Sequence, residues 1–196
     1  MEVNEIMVNE RGNIRGQSIK YRKIQTLMYH INEETLIKEH QRQSNNKASG
    51  IDKITKDKYE ENLYGNIDNL LSRMKKFSYK PQAVRRTYIP KANGKQRPLG
   101  IPVYEDKLVQ GVMANILNDI YEPRFLECSY GFREDRNCHM AISRIKKSIM
   151  TKPVNYILDA DIKGFFDNVD HKWLIKFLEN DIEDKNFIRY IVRFLK

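Results

Sequence analysis

The sequence predicts an α+β chain, mostly helical, with one β-hairpin projecting from it. Three observations carry this. Apolar residues recur at i, i+3, i+4, i+7 in several separate stretches, the spacing of one helix face. One Asn-Gly pair lies between two strand-like runs, a hairpin turn signal. One apolar run ends abruptly in acid, and no regular alternation of strands and helices surrounds it. With 196 residues, 40% of them hydrophobic, the chain can bury one sizeable core or two small lobes.

Residues 1–18 are polar, contain Gly and show no period, so they read as a flexible arm. From Ile19 the pattern turns helical, with Ile24, Leu27, Met28 and Ile31 on one face. The stretch "QRQSNNKASGID" is a polar break whose small residues and Gly50 suit a loop. A second helix is expected over Asp57–Lys76, with Leu63, Ile67, Leu70, Leu71 and Met74 inward. After Pro81, Val84–Ile89 forms a strand, "KANGK" turns, and the chain returns through Leu99 and Ile101. Pro90, Pro98 and Pro102 confine these strands to edges. A third helix covers Glu105–Tyr121, with Leu108, Val109, Val112, Ile116, Leu117 and Ile120 on one side. "SYGFREDRN" is a loop. A fourth helix carries Ala141, Ile142, Ile145 and Ile149, and a strand covers Val154–Asp161. Helices near His171–Glu179 and Asp184–Phe194 close the chain.

The net charge is +9 and the isoelectric point near 9.4. Such a balance points to a polyanion, most often nucleic acid. From Asn69 to Tyr104 there is no Asp or Glu, yet Arg73, Lys75, Lys76, Lys80, Arg85, Arg86, Lys91, Lys95 and Arg97 all fall there. That block alone carries the net charge of the chain. A solvated face would mix signs, so a one-sign block favours a phosphate-binding surface. Cys128 and Cys138 form no CxxC, and the four His have no metal spacing, which argues against zinc and against a disulfide framework. The N-terminus lacks the apolar core of a secretory signal, and no apolar run approaches the ~20 residues that span a bilayer. These features read as a soluble cytoplasmic protein with no membrane partner.

Three constellations carry chemistry. In "YILDADIKGFFDNVDH", Asp159 and Asp161 share one side of a strand, because side chains alternate. A carboxylate at a strand end suits a hard cation such as Mg²⁺. The turn of Lys163, Gly164, Phe165 and Phe166 presents successive backbone N–H groups, a concavity for phosphate oxygens. The alternative is a polar turn with both Phe in the core. In the hairpin, Lys91 and Arg97 flank the turn, placed to fold a point charge and a planar fork over a triphosphate. An ordinary solvated hairpin would look similar. In "SYGFREDRNCHMA", Tyr130 and Phe132 interleave with Arg133 and Arg136. They either stack on bases, or bury the rings and pair both Arg with Glu134 and Asp135.

Together, "RRTYIPKANGKQRPLGIPVYEDKLVQ", "SYGFREDRNCHMA" and "DADIKGFFDNVDH", in this order and spacing, resemble the reverse transcriptases (maturases) encoded by group II introns. "NNKASGID" resembles the segment that precedes the fingers in that family. The resemblance runs from about Ile24 to the end. It implies an RNA-directed DNA polymerase, a nucleotidyltransferase with right-hand architecture, here fingers and an incomplete palm. Residues 19–103 would form the N-terminal extension and fingers, 104–170 the first part of the palm, and 171–196 helices returning toward the fingers. Asp161 matches the first catalytic aspartate, a ligand of two Mg²⁺ ions, and the Ile162 carbonyl would add a ligand. Lys91 and Arg97 match residues that hold the incoming dNTP, together with the turn at Lys163, Gly164 and Phe165. Phe166 matches the residue that excludes a ribose 2′-OH. Ala48, Ser49 and Gly50 would lie over the template. Lys75, Lys76, Lys80, Arg85, Arg86, Lys95, Arg133 and Arg136 would contact RNA. The implied partners are group II intron RNA and an RNA template with a DNA primer.

Two departures qualify this. Family members carry Pro and Gly after "GFR", where this chain has Glu134 and Asp135, which lowers the local positive charge. The family's second metal motif, an aromatic, one variable residue and two adjacent Asp, does not occur in the 196 residues. The chain alone is therefore expected not to polymerise. Alternatives are a non-catalytic RNA-binding maturase module and a retron or defence-type reverse transcriptase. The apolar Ile188, Ile191, Val192 and Leu195 on the last helix are expected to lie uncovered and to favour a homodimer.

Overall fold

The structure is a computed structural model, and it describes residues 14–15, 23–90, 94 and 96–196. Seven α-helices and one two-stranded antiparallel sheet are found among these residues. In chain order they are α1 Glu33–Arg42, α2 Lys56–Glu60, α3 Leu63–Lys75, β1 Arg85–Pro90, β2 Gln96–Ile101, α4 Tyr104–Tyr121, α5 Cys138–Thr151, α6 His171–Asp181 and α7 Lys185–Phe194.

The core is built around α4. Its Leu108, Val109, Val112, Ile116 and Ile120 are buried as the spacing requires, against Leu36 of α1, Ile67 and Leu70 of α3, and Phe187 of α7. Each such side chain contributes roughly 1.5–3 kcal/mol on burial. The Tyr190 hydroxyl of α7 is buried and donates to the Met74 carbonyl at 2.8 Å, which ties the last helix to α3. Ile24 and Ile182 form an isolated parallel bridge that ties the start of the fold to its end.

Beyond α3 the chain turns at Phe77, which has φ 55°. A left-handed residue after a helix is usually Gly, and a side chain there costs roughly 1–2 kcal/mol. Hydrogen bonds from Phe77 N to Met74 O (2.9 Å) and from Ser78 N to Arg73 O (2.9 Å) hold the turn. Tyr79 then plunges into the core, where its hydroxyl donates to the buried Asp106 carboxylate of α4. The other Asp106 oxygen accepts from the Gln82 N–H at 2.9 Å. Asp106 thus fixes the segment leading into the hairpin to the first turn of α4. Burial raises its pKa, and the two hydrogen bonds pull it back down.

The hairpin forms as the sequence predicts, with Ile89 opposite Arg97 and Pro90 opposite Gln96. Of its strand residues only Ile101 is buried. Lys91 and Lys95, at its turn, lie outside the described residues, as do residues 1–13 and 16–18 of the expected arm. Within that segment Ile14 is buried and Arg15 bonds Asp119 at 2.9 Å.

Elsewhere local chemistry overrode periodicity. Ile24, Leu27 and Ile31 are buried, but the helix expected there is only a 3-10 turn, Leu27–His30. Thr26 breaks it at φ 59°. Helix α1 begins instead at Asn32, whose side chain accepts from Thr35 N while the Thr35 hydroxyl accepts from Asn32 N, a reciprocal cap. The single helix expected over Asp57–Lys76 is two, broken at Asn62, whose backbone (φ −139°, ψ 50°) is not helical. Helix α5 forms, with the apolar Ile142, Ile145 and Ile149 exposed. Val154–Asp161 forms no strand, because no described segment pairs with it, and Tyr156 and Leu158 are over nine-tenths exposed. The face of α7 expected to be bare is partly covered: Ile188 is buried, Ile191 and Val192 pack half-buried on the core, and Leu195 is half-buried.

Candidate functional site

The acidic turn is an open surface feature. Asp159, Asp161 and Lys163 are exposed, and Ile162 is 70% exposed. Gly164 makes the turn possible. Its φ is 63°, and a Cβ there would meet Asn168 Nδ2 at 3.0 Å. The Gly164 carbonyl accepts from Asp167 N (3.1 Å), Asn168 N (3.2 Å) and Asn168 Nδ2 (2.8 Å), closing the 3-10 turn Phe166–Asn168. Phe165 and Phe166 meet edge to face at 5.4 Å, and Phe166 is 80% exposed. Both rings are thus outside the core, contrary to the bland reading of the motif. Asp170 caps α6, accepting from Lys172 N at 2.8 Å and Trp173 N at 3.2 Å.

The second feature joins three segments far apart in sequence. Arg85 Nε donates to the Ser49 carbonyl at 2.9 Å, and Lys107 Nζ to the Ala48 carbonyl at 2.6 Å. Burial lowers the pKa of Lys107, helped by Lys47. Gly50 seats the loop: a Cβ there would lie 2.6 Å from Val103 Cα and 2.8 Å from Pro102 O. Ala48, Ser49 and Gly50 therefore sit at the root of the hairpin beside Arg85. Arg86 and Arg97 are exposed on its strands, and Lys75, Lys76 and Lys80 are exposed where α3 ends. Arg73 differs from them. Its guanidinium grips both Glu105 oxygens at 2.7 Å. Lys107 and Asp106 escaped the sequence reading because they lie inside a helix pattern, where nothing local marks a long-range tether.

The third feature is a loop stapled to itself. Arg133 donates to Glu122 Oε1 (2.7 Å from Nη2) and to the Leu126 and Ser129 carbonyls (both 3.0 Å). Arg136 donates to the Glu127 carbonyl at 2.8 Å, which also accepts from Arg144 at 2.8 Å. Each guanidinium also covers a ring, Phe125 for Arg133 and Tyr130 for Arg136. Arg133 and Arg136 thus spend their donors inside the protein, on Glu122 and Glu127 rather than on Glu134 and Asp135. Phe132, by contrast, is fully exposed.

Among the described residues no three His, Cys, Asp or Glu converge as a metal site. Asp161 and the Ile162 carbonyl offer at most two donors, which does not make a two-ion Mg²⁺ site. No step is therefore assigned to a metal held by these residues alone. No described helix is long and apolar enough to cross a membrane.

Comparison with known proteins gives the family. The family described as reverse transcriptase (RNA-dependent DNA polymerase) matches residues 89–195, and the chain belongs to it. Its kinship lies with the group II intron kind. It is 44% identical over 131 residues to group II intron-encoded protein LtrA of Lactococcus lactis subsp. cremoris, covering 66% of this chain and 22% of that one. It is 33% identical over 150 residues to protein YkfC of Escherichia coli, covering 75% and 39%. It is 39% identical over 127 residues to a 91 kDa protein in the cob intron of Schizosaccharomyces pombe, covering 64% and 15%. The chain thus spans well under half the length of these relatives.

Proposed function

We propose that this chain supplies the fingers (residues 19–103), the first part of the palm (104–170) and two returning helices (171–196) of a group II intron reverse transcriptase. In this reading the enzyme copies intron RNA into cDNA and binds the intron to assist its splicing. The observation that carries it is the 44% identity to an intron-encoded protein over 131 residues, joined to a family match that takes in Arg97, Asp161 and Phe166. Asp161, exposed just before the turn, is the catalytic carboxylate. Phe166 presses on the sugar of an incoming dNTP. Lys91 and Arg97 hold its phosphates, and the turn at Lys163, Gly164 and Phe165 offers backbone N–H groups. The loop Ala48–Gly50 lies on the template. Arg85, Arg86 and the lysines at 75, 76, 80 and 95 follow the RNA backbone.

The 196 residues by themselves do not polymerise in this reading. They contain no Asp-Asp pair, and no cluster of acids forms among the described residues. The same observation favours a second reading, an RNA-binding maturase module without chemistry. Titration of intron RNA at several salt concentrations tests the part that both readings share. Arg85→Ala with Arg86→Ala should weaken binding and flatten the salt dependence by about one unit of slope per lost phosphate contact. An unchanged slope refutes the assigned RNA path. Primer extension by the 196-residue chain above background refutes the inactivity.

A further inference from the structure

Away from the hairpin and the acidic turn, a cleft of about 500 Å³ opens between the 3-10 turn Leu27–His30, the end of α3 and the start of α7. Tyr29 and Phe77 line it, 70% and 37% exposed. The Arg189 guanidinium of α7 lies 4.5 Å from the centroid of the Phe77 ring. Arg193 Nη2 donates to the Phe77 carbonyl at 2.9 Å, which fixes α7 against this turn. Lys75 lines the cleft, and Lys76, Lys80 and Lys185 are exposed on the neighbouring turns. Glu33, Asp68 and Asn186 also line it, offering acceptors and an amide that suit the amino and carbonyl edges of a base.

The backbone at Phe77 is left-handed, where Gly is the usual occupant. Strain of this kind persists where the side chain has a task. Here the side chain is an aromatic ring backed by Arg189, with Lys75 in the same cleft, the make-up of a stacking platform for single strands. We propose that this cleft binds an unpaired segment of single-stranded RNA, with bases stacked on Phe77 and Tyr29 and the backbone following Lys75, Lys76 and Arg189. The inference deepens the RNA-binding reading and rests on it. Its new element is a second contact surface, to which α7 contributes.

The test is fluorescence anisotropy of the 196-residue chain with a single-stranded RNA of about 12 nucleotides, a length within one platform's usual span. Phe77→Gly keeps the turn and removes the ring. It should lower affinity about fivefold or more with helicity unchanged. Arg189→Ala should also flatten the salt slope by about 0.7. Duplex RNA should compete poorly, because its bases are not available to stack. Affinity within twofold of the parent in a folded Phe77→Gly chain would leave the cleft to a protein segment and overturn the proposal. Equal competition by duplex would overturn it too. If Phe77→Gly fails to fold, Tyr29→Ala is read by the same thresholds, since Tyr29 is mostly in solvent. A parent chain without RNA affinity sinks the whole RNA reading. Loss in the Arg85/Arg86 variant but not in Phe77→Gly sinks the cleft alone.

Discussion

Replacing Asp106 with Ala should cost the fold about 2–4 kcal/mol. Asp106 and Tyr79 are each 1% exposed, and the Tyr79 hydroxyl donates to Asp106. Without the carboxylate that hydroxyl is buried with no acceptor, a loss of about 1–3 kcal/mol. The Gln82 N–H loses its acceptor at 2.9 Å. It belongs to an exposed residue, so water recovers part of the loss and it adds about 1 kcal/mol or less. An acid in the first turn of α4 also favours the helix by roughly 0.3–1 kcal/mol. Relief of the carboxylate's own burial, visible in its raised pKa, works the other way and holds the total near the stated range. Urea unfolding followed by circular dichroism reads this directly. With a slope of about 1–3 kcal/mol per molar, the midpoint should fall by about 0.7 M or more. Tyr79→Phe made in the same chain removes the orphaned hydroxyl and should restore much of the loss. A midpoint shift below about 0.3 M, or a double variant no more stable than Asp106→Ala, would refute Asp106 as the anchor of the hairpin root.

Other outcomes follow from the same packing. Gly50→Ala drives a Cβ into the Val103 backbone, so it should destabilise by about 1–3 kcal/mol and weaken RNA binding through the displaced 48–50 loop, measured by urea unfolding and anisotropy. His40 is 2% exposed, its Nδ1 bonded to the Tyr104 hydroxyl at 2.9 Å, and burial lowers its pKa from 6.5. The unfolded chain then binds a proton before the folded one, so stability should fall as pH drops below about 6.5, by up to about 1.4 kcal/mol per pH unit. His40→Gln should remove that slope from a pH series of urea midpoints. Arg133→Ala should lower the thermal midpoint, because it unstaples the loop, while RNA affinity stays within about twofold, since the guanidinium is already spent on Glu122 and two carbonyls.

Much of the architecture was legible because its elements are amphipathic and end in local signals. Helix α4 shows a full apolar stripe, and the hairpin carries its Asn-Gly turn between edge strands. Helix α1 is readable from Asn32, with Glu33 and Glu34 in its first turn, whereas the helical spacing at 24–31 is interrupted by the left-handed Thr26. The break at Asn62 depends on one backbone conformation, which periodicity does not report. Val154–Asp161 has the composition of a strand, yet a strand is a property of two segments, and no described residue pairs with it. At the candidate site the sequence marked Asp161, Phe166 and Arg97 by order and spacing. It could not show that Arg133 and Arg136 turn inward, or that Lys107 and Arg85 hold the 48–50 loop. Those depend on pairings across 4 to 59 residues that only folding brings together.

The most direct measurement places this chain in a polymerase of its own kind. The 131-residue region matched in the Lactococcus lactis intron-encoded protein would be exchanged for the corresponding stretch of this chain, and cDNA synthesis on intron RNA followed with and without Asp161→Ala. If Asp161 is the catalytic carboxylate, the chimera makes cDNA, and Asp161→Ala abolishes it while RNA affinity and folding stay as they were. An active chimera indifferent to Asp161→Ala would contradict the catalytic assignment.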